Sequence, residues 1–494
     1  MLAVEINKEN FEYDVNSIVR AFYPEEQVSV LTPATGESKR EKLTEQVRMR
    51  ITIGEQDAVF ERIGNPSLNT EVYRWTYQES DGKFKDGFKR FLYRTLGEIT
   101  GKELPWGNLT GIRPTKIAYG MLEEGCSEEE IQQFYREKHY VSEEKAKLSI
   151  DIARRERELL KDVHYEGGYS LYIGIPFCPS NCLYCSFTSY PIGAFRKQVD
   201  SYIDCVIREM EYVAEAFSDK ILDSVYIGGG TPTTLEPEQL DRLITRLKKL
   251  FDFGTVQEFT VEAGRADSIT REKLEVLYRH GVTRISVNPQ TMKQETLDII
   301  GRKASVEQVR EAYVLAREIG FDNINMDLIL GLPGETQEDV RYTVDEVVKL
   351  APDSLTVHSL AIKRASRLNR WIQGNGVATL RNTDETMKIA AAGAAELGLV
   401  PYYLYRQKNM SGNFENVGYA REGKLGLYNI LIMEEMQTIV ALGAGSITKK
   451  VSRKCSEDGS ESILIERCEN VKEVAQYIER IDEMIGRKRE LFRG

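Results

Sequence analysis

The sequence predicts an α/β fold: a partial (β/α)6 barrel between an N-terminal α+β domain and a small C-terminal domain. Two observations point there. From Ser170 onward, short apolar strand patterns alternate with amphipathic helical ones, the rhythm that builds a parallel sheet covered by helices. Directly after the first strand pattern, three of the chain's seven cysteines (Cys178, Cys182 and Cys185) fall within one short loop. A length of 494 residues exceeds one ordinary core, so two or three domains are expected. We place them at residues 1–165, 166–370 and 371–494.

In the first segment, "EQVRMRITI" alternates Val47, Met49, Ile51 and Ile53 with polar residues, which is strand periodicity. Phe84, Phe88, Phe91, Leu92, Leu96 and Ile99 recur at helical spacing. "LPWGNLTGIRPTK" is rich in turn formers and ends in basic residues; a structured connector is the expected reading, a ligand-gripping loop the other. The charged helical stretch "SEEKAKLSIDIARRERELL" then leads to Gly167 and Gly168, which mark a boundary.

The six barrel strands are read as "SLYIGIPF", "DSVYIGG", "EFTVEAG", "RISVNPQ", "INMDLILGL" and "SLTVHSLA". Between them, "QLDRLITRLKKLF", "REKLEVLYRHG", "VEQVREAYVLAREIG" and "EDVRYTVDEVVKLA" carry helical spacing. After residue 370 the alternation fades. "VPYYLYRQKNMSGNFENVGY" is aromatic and amide-rich. The last helix is read as begun by Asn470 with Glu473 three residues on, a variant capping box, and its apolar face (Val471, Val474, Ile478, Ile481, Ile485) docks on the core.

Composition narrows the function classes. A net charge of −11 argues against generic nucleic-acid binding. No apolar run reaches the roughly 18 residues that span a bilayer, and the start lacks the pattern of a signal peptide. A cytoplasmic location is therefore expected, where thiols stay reduced and clustered cysteines bind metals or react.

Three readings compete for Cys178, Cys182 and Cys185. A structural zinc site closes with four ligands, usually in separated pairs, and no fourth ligand lies beside these three. Inert neighbouring thiols on a turn are costly to keep. An iron–sulfur cluster suits three soft thiolates and leaves one iron open to a non-protein ligand; this is the reading we favour. If the barrel forms, functional groups belong at its C-terminal strand ends. Gly229, Gly230 and Thr231 in "IGGGTPTTL" are expected to offer backbone N–H groups to a carboxylate. Glu262 ends the third strand and suits an ammonium or ribose hydroxyls. Gln290 ends the fourth strand, Asp327 lies in the fifth, Ala361 lies near the end of the sixth, and Arg302 follows the fourth strand unit.

A Cys-x3-Cys-x2-Cys loop after the first strand of a (β/α) series resembles the radical S-adenosylmethionine (SAM) enzymes. Within them, "LYIGIPFCPSNCLYC", "IGGGTPT", "TVEAG", "ISVNPQT", "NINMDLILGLPGET" and "ALGAGSI" resemble the oxygen-independent coproporphyrinogen III oxidases. The N-terminal "LPWGNLTGIRPTK" resembles their HemZ-type coproporphyrinogen dehydrogenase branch. The resemblance implies a radical SAM barrel, with a [4Fe–4S] cluster on Cys178, Cys182 and Cys185 and SAM as the cofactors. It implies Tyr172, Tyr184, Gly229, Gly230, Thr231, Glu262, Gln290, Arg302, Asp327, Ala361 and Ile447 as SAM contacts, with Tyr172 and the three cysteines catalytic. It further implies a tetrapyrrole substrate, coproporphyrinogen III, whose propionates become vinyl groups, and a low-potential donor such as flavodoxin or ferredoxin. Two positions depart from the pattern: the oxidases carry His at Gly174 and Cys at Phe187. A heme chaperone, which also has Phe at the latter position, and a radical SAM enzyme acting on another tetrapyrrole are the alternatives. For propionates, "AIKRASRLNRW" supplies Lys363, Arg364, Arg367 and Arg370, which otherwise form a solvated basic helix.

Overall fold

The structure, a computed structural model, describes residues 1–63, 71–111, 113–362, 366–376, 379–406, 414–455 and 461–493. All six expected strands form: β1 (Gly168–Ile175), β2 (Ile221–Gly229), β3 (Glu258–Glu262), β4 (Arg284–Ser286), β5 (Ile324–Leu330) and β6 (Ser354–Ser359). Each pairs in parallel with the next, and Tyr172 stands opposite Tyr226. These strands are buried along almost their whole length, because helices cover a parallel sheet and leave little room for polar alternation. The intervening helices start where their caps allow. Ser305 and Gln308 form a capping box before helix Val306–Ile319, which ends at Gly320 with φ of 118°. Thr336 and Asp339 do the same for helix Gln337–Leu350.

The C-terminal residues extend the same sheet at both sides. β7 (Val400–Tyr405) and β8 (Asn416–Ala420) join antiparallel beyond β6. β9 (Thr438–Leu442) lies parallel to β1 on its free side, Val440 opposite Leu171, and carries the hairpin β10 (Ile447–Cys455) and β11 (Glu461–Glu469). The order is β7-β8-β6-β5-β4-β3-β2-β1-β9-β10-β11. The sheet ends at β7 and β11, so the barrel is open. A seventh parallel strand, β9, adds to the six that the alternation announced.

Strands Leu2–Ile6, Val28–Leu31, Val47–Ile53, Asp57–Arg62 and Glu71–Thr76 form a second, five-stranded sheet. Strand Val47–Ile53 alternates buried and exposed as its sequence predicts. Helices Glu12–Phe22 and Phe84–Thr100 cover that sheet with a separate apolar cluster containing Val19, Phe22, Phe60, Phe88 and Leu96. Helices Thr115–Glu123, Glu128–His139 and Glu143–Leu159 instead share the barrel's core through Ala118, Ile131, Tyr135, Ile150 and Ala153. "LPWGNLTGIRPTK" is a structural junction. Trp106 is buried, and its Nε1–H donates to Glu415 at 2.6 Å, whose other oxygen meets Lys145 Nζ at 2.7 Å. Arg113 donates to the carbonyl of Met433 and, at 2.8 Å, to Glu435.

Asn470 corrects a sequence expectation. It caps no helix: the helical turn Val474–Glu479 begins after Glu473, and a second helix, Ile481–Phe492, follows. The Asn470 amide is buried and donates to Glu209 at 2.9 Å and to the Gly443 carbonyl at 2.9 Å. The Asn–Glu spacing reads as a cap only while distant partners are unknown.

Candidate active site

β1 runs directly into the cysteine loop, and the glycine turn after β2 holds that loop from beneath. Gly230 N–H donates to the Ile175 carbonyl at 2.8 Å and Thr231 N–H to that of Phe177 at 2.7 Å. These two N–H groups are therefore occupied by protein carbonyls, which corrects the expectation that they face a ligand carboxylate. Residue 230 must be glycine for this contact, since a Cβ there would lie 2.6 Å from the Phe177 oxygen. Gly229, with φ of 108°, makes the turn that brings the strands' ends together.

Cys178 is buried, with its Sγ 3.5 Å from Thr231 Oγ1, while Cys182 and Cys185 are half-buried. Burial pushes the Cys178 thiol up to about 11, against the Thr231 hydrogen bond that lowers it. Arg265, 4% exposed, donates to the Ser180 carbonyl at 2.9 Å and approaches Cys182 Sγ at 3.6 Å. Among the described residues no three His, Cys, Asp or Glu side chains gather as one ion would need. A [4Fe–4S] cube asks for something else, one thiolate at each of three corners. A loop of three soft donors with a cation against one sulfur fits that group.

Beside the loop opens a cavity of about 610 Å³, walled by residues of β1 to β7, by the turn between β9 and β10, and by helix Leu427–Glu434. Tyr172, Tyr226 and Tyr428 stack along one wall, the last two with centroids 4.4 Å apart. Tyr226 O–H donates to Glu262 at 2.5 Å. Burial lifts the Glu262 carboxyl to about 7, overcoming that hydrogen bond, and nearby Asp327 adds to the rise. Asp327 goes the other way: burial raises it, but His358, the Asn325 amide at 2.7 Å and Arg284 together hold it below its ordinary value. His358 stands between Asp327 (3.9 Å) and Tyr405 O–H (3.5 Å).

A row of buried polar atoms lacks hydrogen-bond partners: Arg284 Nε, Ser286 Oγ and Asn288 Oδ1 in the cavity wall, and Gln290 Oε1 and Arg302 Nε beside it. Buried polar groups are normally paired, so such a row marks a surface shaped for a polar ligand. Gln290 is also in the left-handed region, φ of 69°, between its backbone bonds to Asp327 and Ile329. A non-glycine residue held there stores strain of about 1–3 kcal/mol, as functional sites do. The donors and acceptors present fit the amine, carboxylate and ribose of SAM.

Of the positions singled out in the sequence, Tyr172, Gly229, Glu262, Asp327 and Ile447 line the cavity. Gln290 and Arg302 stand beside it. Arg302 bonds to the Asn288 carbonyl and, at 3.3 Å, to Tyr184 O–H. Tyr184, within the cysteine loop, packs half-buried on an apolar cluster containing Leu297, Ile300 and Leu332, and Ala361 sits half-buried two residues past β6. The described part of the basic segment lies elsewhere. Lys363 and Arg364 fall outside the described residues. Arg367 and Arg370 are exposed and off the cavity, Arg367 bonded to the Asn181 carbonyl of the cysteine loop. Among the described residues, the arginine and lysines that do line the cavity are Arg284, Lys449 and Lys472. Sequence reading passed over Tyr226, Tyr428, His358 and Arg265. One signal was present: "YIG" occurs in both "LYIGI" and "VYIGG", and the two tyrosines stand side by side in register.

Residues 172–347 match the family model described as "Radical SAM superfamily". The chain is 40% identical over 411 residues to "Oxygen-independent coproporphyrinogen-III oxidase-like protein HemZ" of Bacillus subtilis (strain 168), covering 82% of this chain and 81% of that protein. It is 36% identical over 195 residues to "Heme chaperone HemW" of the same organism, covering 39% of this chain and 51% of that one. Among solved structures, "Coproporphyrinogen III oxidase (HemN) from Escherichia coli is a Radical SAM enzyme" superposes with a TM-score of 0.51 at 25% identity, over 66% of this chain and 72% of that one. A [4Fe–4S] cluster and SAM are therefore the cofactors of this site. The chain belongs to the radical SAM family of oxygen-independent coproporphyrinogen-III oxidase-like proteins, HemZ type.

Proposed function

We propose that the chain oxidatively decarboxylates propionate side chains of coproporphyrinogen III to vinyl groups, giving protoporphyrinogen IX. The observation that carries this reading is the cavity itself: an aromatic-walled space of about 610 Å³ beside the cysteine loop, with Arg284, Lys449 and Lys472 around it. Its size lies within the usual range for ligand sites, and its cations suit carboxylates. When bound, the cluster and SAM supply an electron and a carbon radical that takes hydrogen from the substrate. The protein's share is placement. Cys178, Cys182 and Cys185 hold the cluster. Glu262 takes the SAM ammonium, and Asp327 with the unpaired Gln290 and Arg302 groups takes its remaining polar atoms. The stacked Tyr172, Tyr226 and Tyr428 offer a flat apolar wall. Each converted propionate releases CO2 and two hydrogen equivalents, one as the abstracted atom and one as a proton and an electron. That electron requires an acceptor, and a low-potential protein such as flavodoxin or ferredoxin is the donor in this reading.

The test is anaerobic turnover of the reconstituted protein with SAM, a reductant and coproporphyrinogen III. The expected result is a product lighter by CO2 and two hydrogens for each propionate converted. Cleaved SAM with the tetrapyrrole returned unchanged overturns the proposal. One observation favours a heme-binding trafficking role instead: Phe187, 70% exposed, presents a ring to the cavity from the cysteine loop, an apolar face for a flat macrocycle. That role predicts stoichiometric heme binding without decarboxylation in the same incubation.

A further inference from the structure

Arg265 has no assigned part in this site, yet its whole guanidinium is committed there. It follows Gly264, two residues past β3, and precedes a short helical turn, Ala266–Ser268. That turn is fixed on both sides. Ser268 O–H donates to the Arg265 carbonyl at 2.8 Å, and Thr233, from the glycine-rich turn after β2, bonds to Ser268 at 2.7 Å and to the Ala263 carbonyl at 3.2 Å. The side chain therefore leaves a rigid base. Nε and Nη2 donate to the two oxygens of Asp267 at 2.9 and 2.6 Å, a fork-to-fork pairing. The remaining edge, Nη1, points at the cysteine loop, donating to the Ser180 carbonyl at 2.9 Å and reaching Ser180 Oγ at 3.1 Å and Cys182 Sγ at 3.6 Å.

A guanidinium that is 4% exposed carries a large desolvation cost. Asp267 alone would satisfy a surface arginine, so the burial is explained only if the charge is needed where it sits. We propose that Arg265 is a positioning residue of the [4Fe–4S] cluster: its Nη1–H donates to the sulfur of Cys182 and raises the cluster's reduction potential while pinning the loop through Ser180. The physical ground is general. Hydrogen bonds to cluster sulfurs, and positive charge nearby, stabilise the more electron-rich reduced state. In a site removed from water the same charge acts with less screening. Easier reduction widens the choice of donor that can start turnover. Arg302 is a second cation on Cys182, bonded to it as well as to Tyr184 and the Asn288 carbonyl, but it makes no bond to Ser180 and so does not duplicate that hold. The inference rests on the cluster and not on the decarboxylation reading.

The test is an EPR-monitored redox titration of the reconstituted full-length protein without tetrapyrrole, so that its outcome is separate from that of the turnover experiment. At the potential where half of the wild-type cluster is reduced, R265M is expected to show a reduced-to-oxidised ratio lower by about tenfold, equivalent to about 59 mV for a one-electron couple. If R265M assembles no cluster, R265K carries the test. Lysine keeps the cation, but its single head cannot hold Asp267, Ser180 and the sulfur together, so its midpoint still falls below wild type. A purely structural role lowers iron content and leaves the midpoint of the remaining clusters where it was. A wild-type midpoint in either cluster-bearing variant overturns the proposal.

Discussion

Glu262 gives the site its pH dependence. Its carboxyl, lifted by burial to about 7, is largely neutral in mildly acid solution, and a neutral acid pairs poorly with an ammonium. The same lifted carboxyl weakens the empty fold as pH climbs from its unfolded value of about 4.3 through about 7, and a bound ammonium reverses that cost. In the proposed site SAM should therefore bind more tightly as pH rises across neutrality. Glu262→Gln should abolish that slope and weaken binding by about tenfold or more, the worth of a charged hydrogen bond; equilibrium binding measured across pH checks both, and an unchanged slope in the variant contradicts the assignment. The acid itself was legible at the end of its strand. Its environment was not, because Tyr226 and Asp327 reach it only once the four strands β2 to β5 lie side by side. Arg265 stayed hidden for the same reason, since a single arginine in "EAGRADS" is ordinary until Ser180 and Cys182 stand beside it.

Strands and helices of the barrel were readable because apolar periodicity is local. What periodicity leaves open is which neighbour a strand takes, so the joining of β7, β8 and β9 to opposite flanks of one sheet could not be read. The final helix shows the same limit. It docks through a polar lock: Glu209, fully buried, accepts from Lys488 Nζ at 2.7 Å, Tyr477 O–H at 2.5 Å, Asn470 and the Gly443 N–H at 2.8 Å. The turn that this lock steadies, Ala444 to Ser446, walls the cavity. Lys488→Met would strand a buried carboxylate and should cost about 3–5 kcal/mol, measured by denaturant unfolding. A loss below about 1 kcal/mol would show that water or relaxation replaces the ammonium.

The two largest apolar clusters meet near residue 104, and every cavity-lining residue lies C-terminal to that point. Removing residues 1–103 should leave a protein that still assembles its cluster, as iron and sulfide analysis would show. Removing residues 1–166 takes away Trp106 and Lys145, strips Glu415 of both partners, and bares the core beneath helix Glu143–Leu159; that form should aggregate. Equal behaviour of the two truncations would refute the boundary. The seam between β1 and β9 has a consequence in time. Leu171 meets Val440 about 270 residues later, so at ribosomal speeds of roughly 5–20 residues per second a nascent chain carries an unzipped flank for about ten to fifty seconds. During that interval the exposed amide row can recruit a strand from a neighbouring copy, which makes slow expression at high polysome density the condition under which this protein is most prone to entangle with itself.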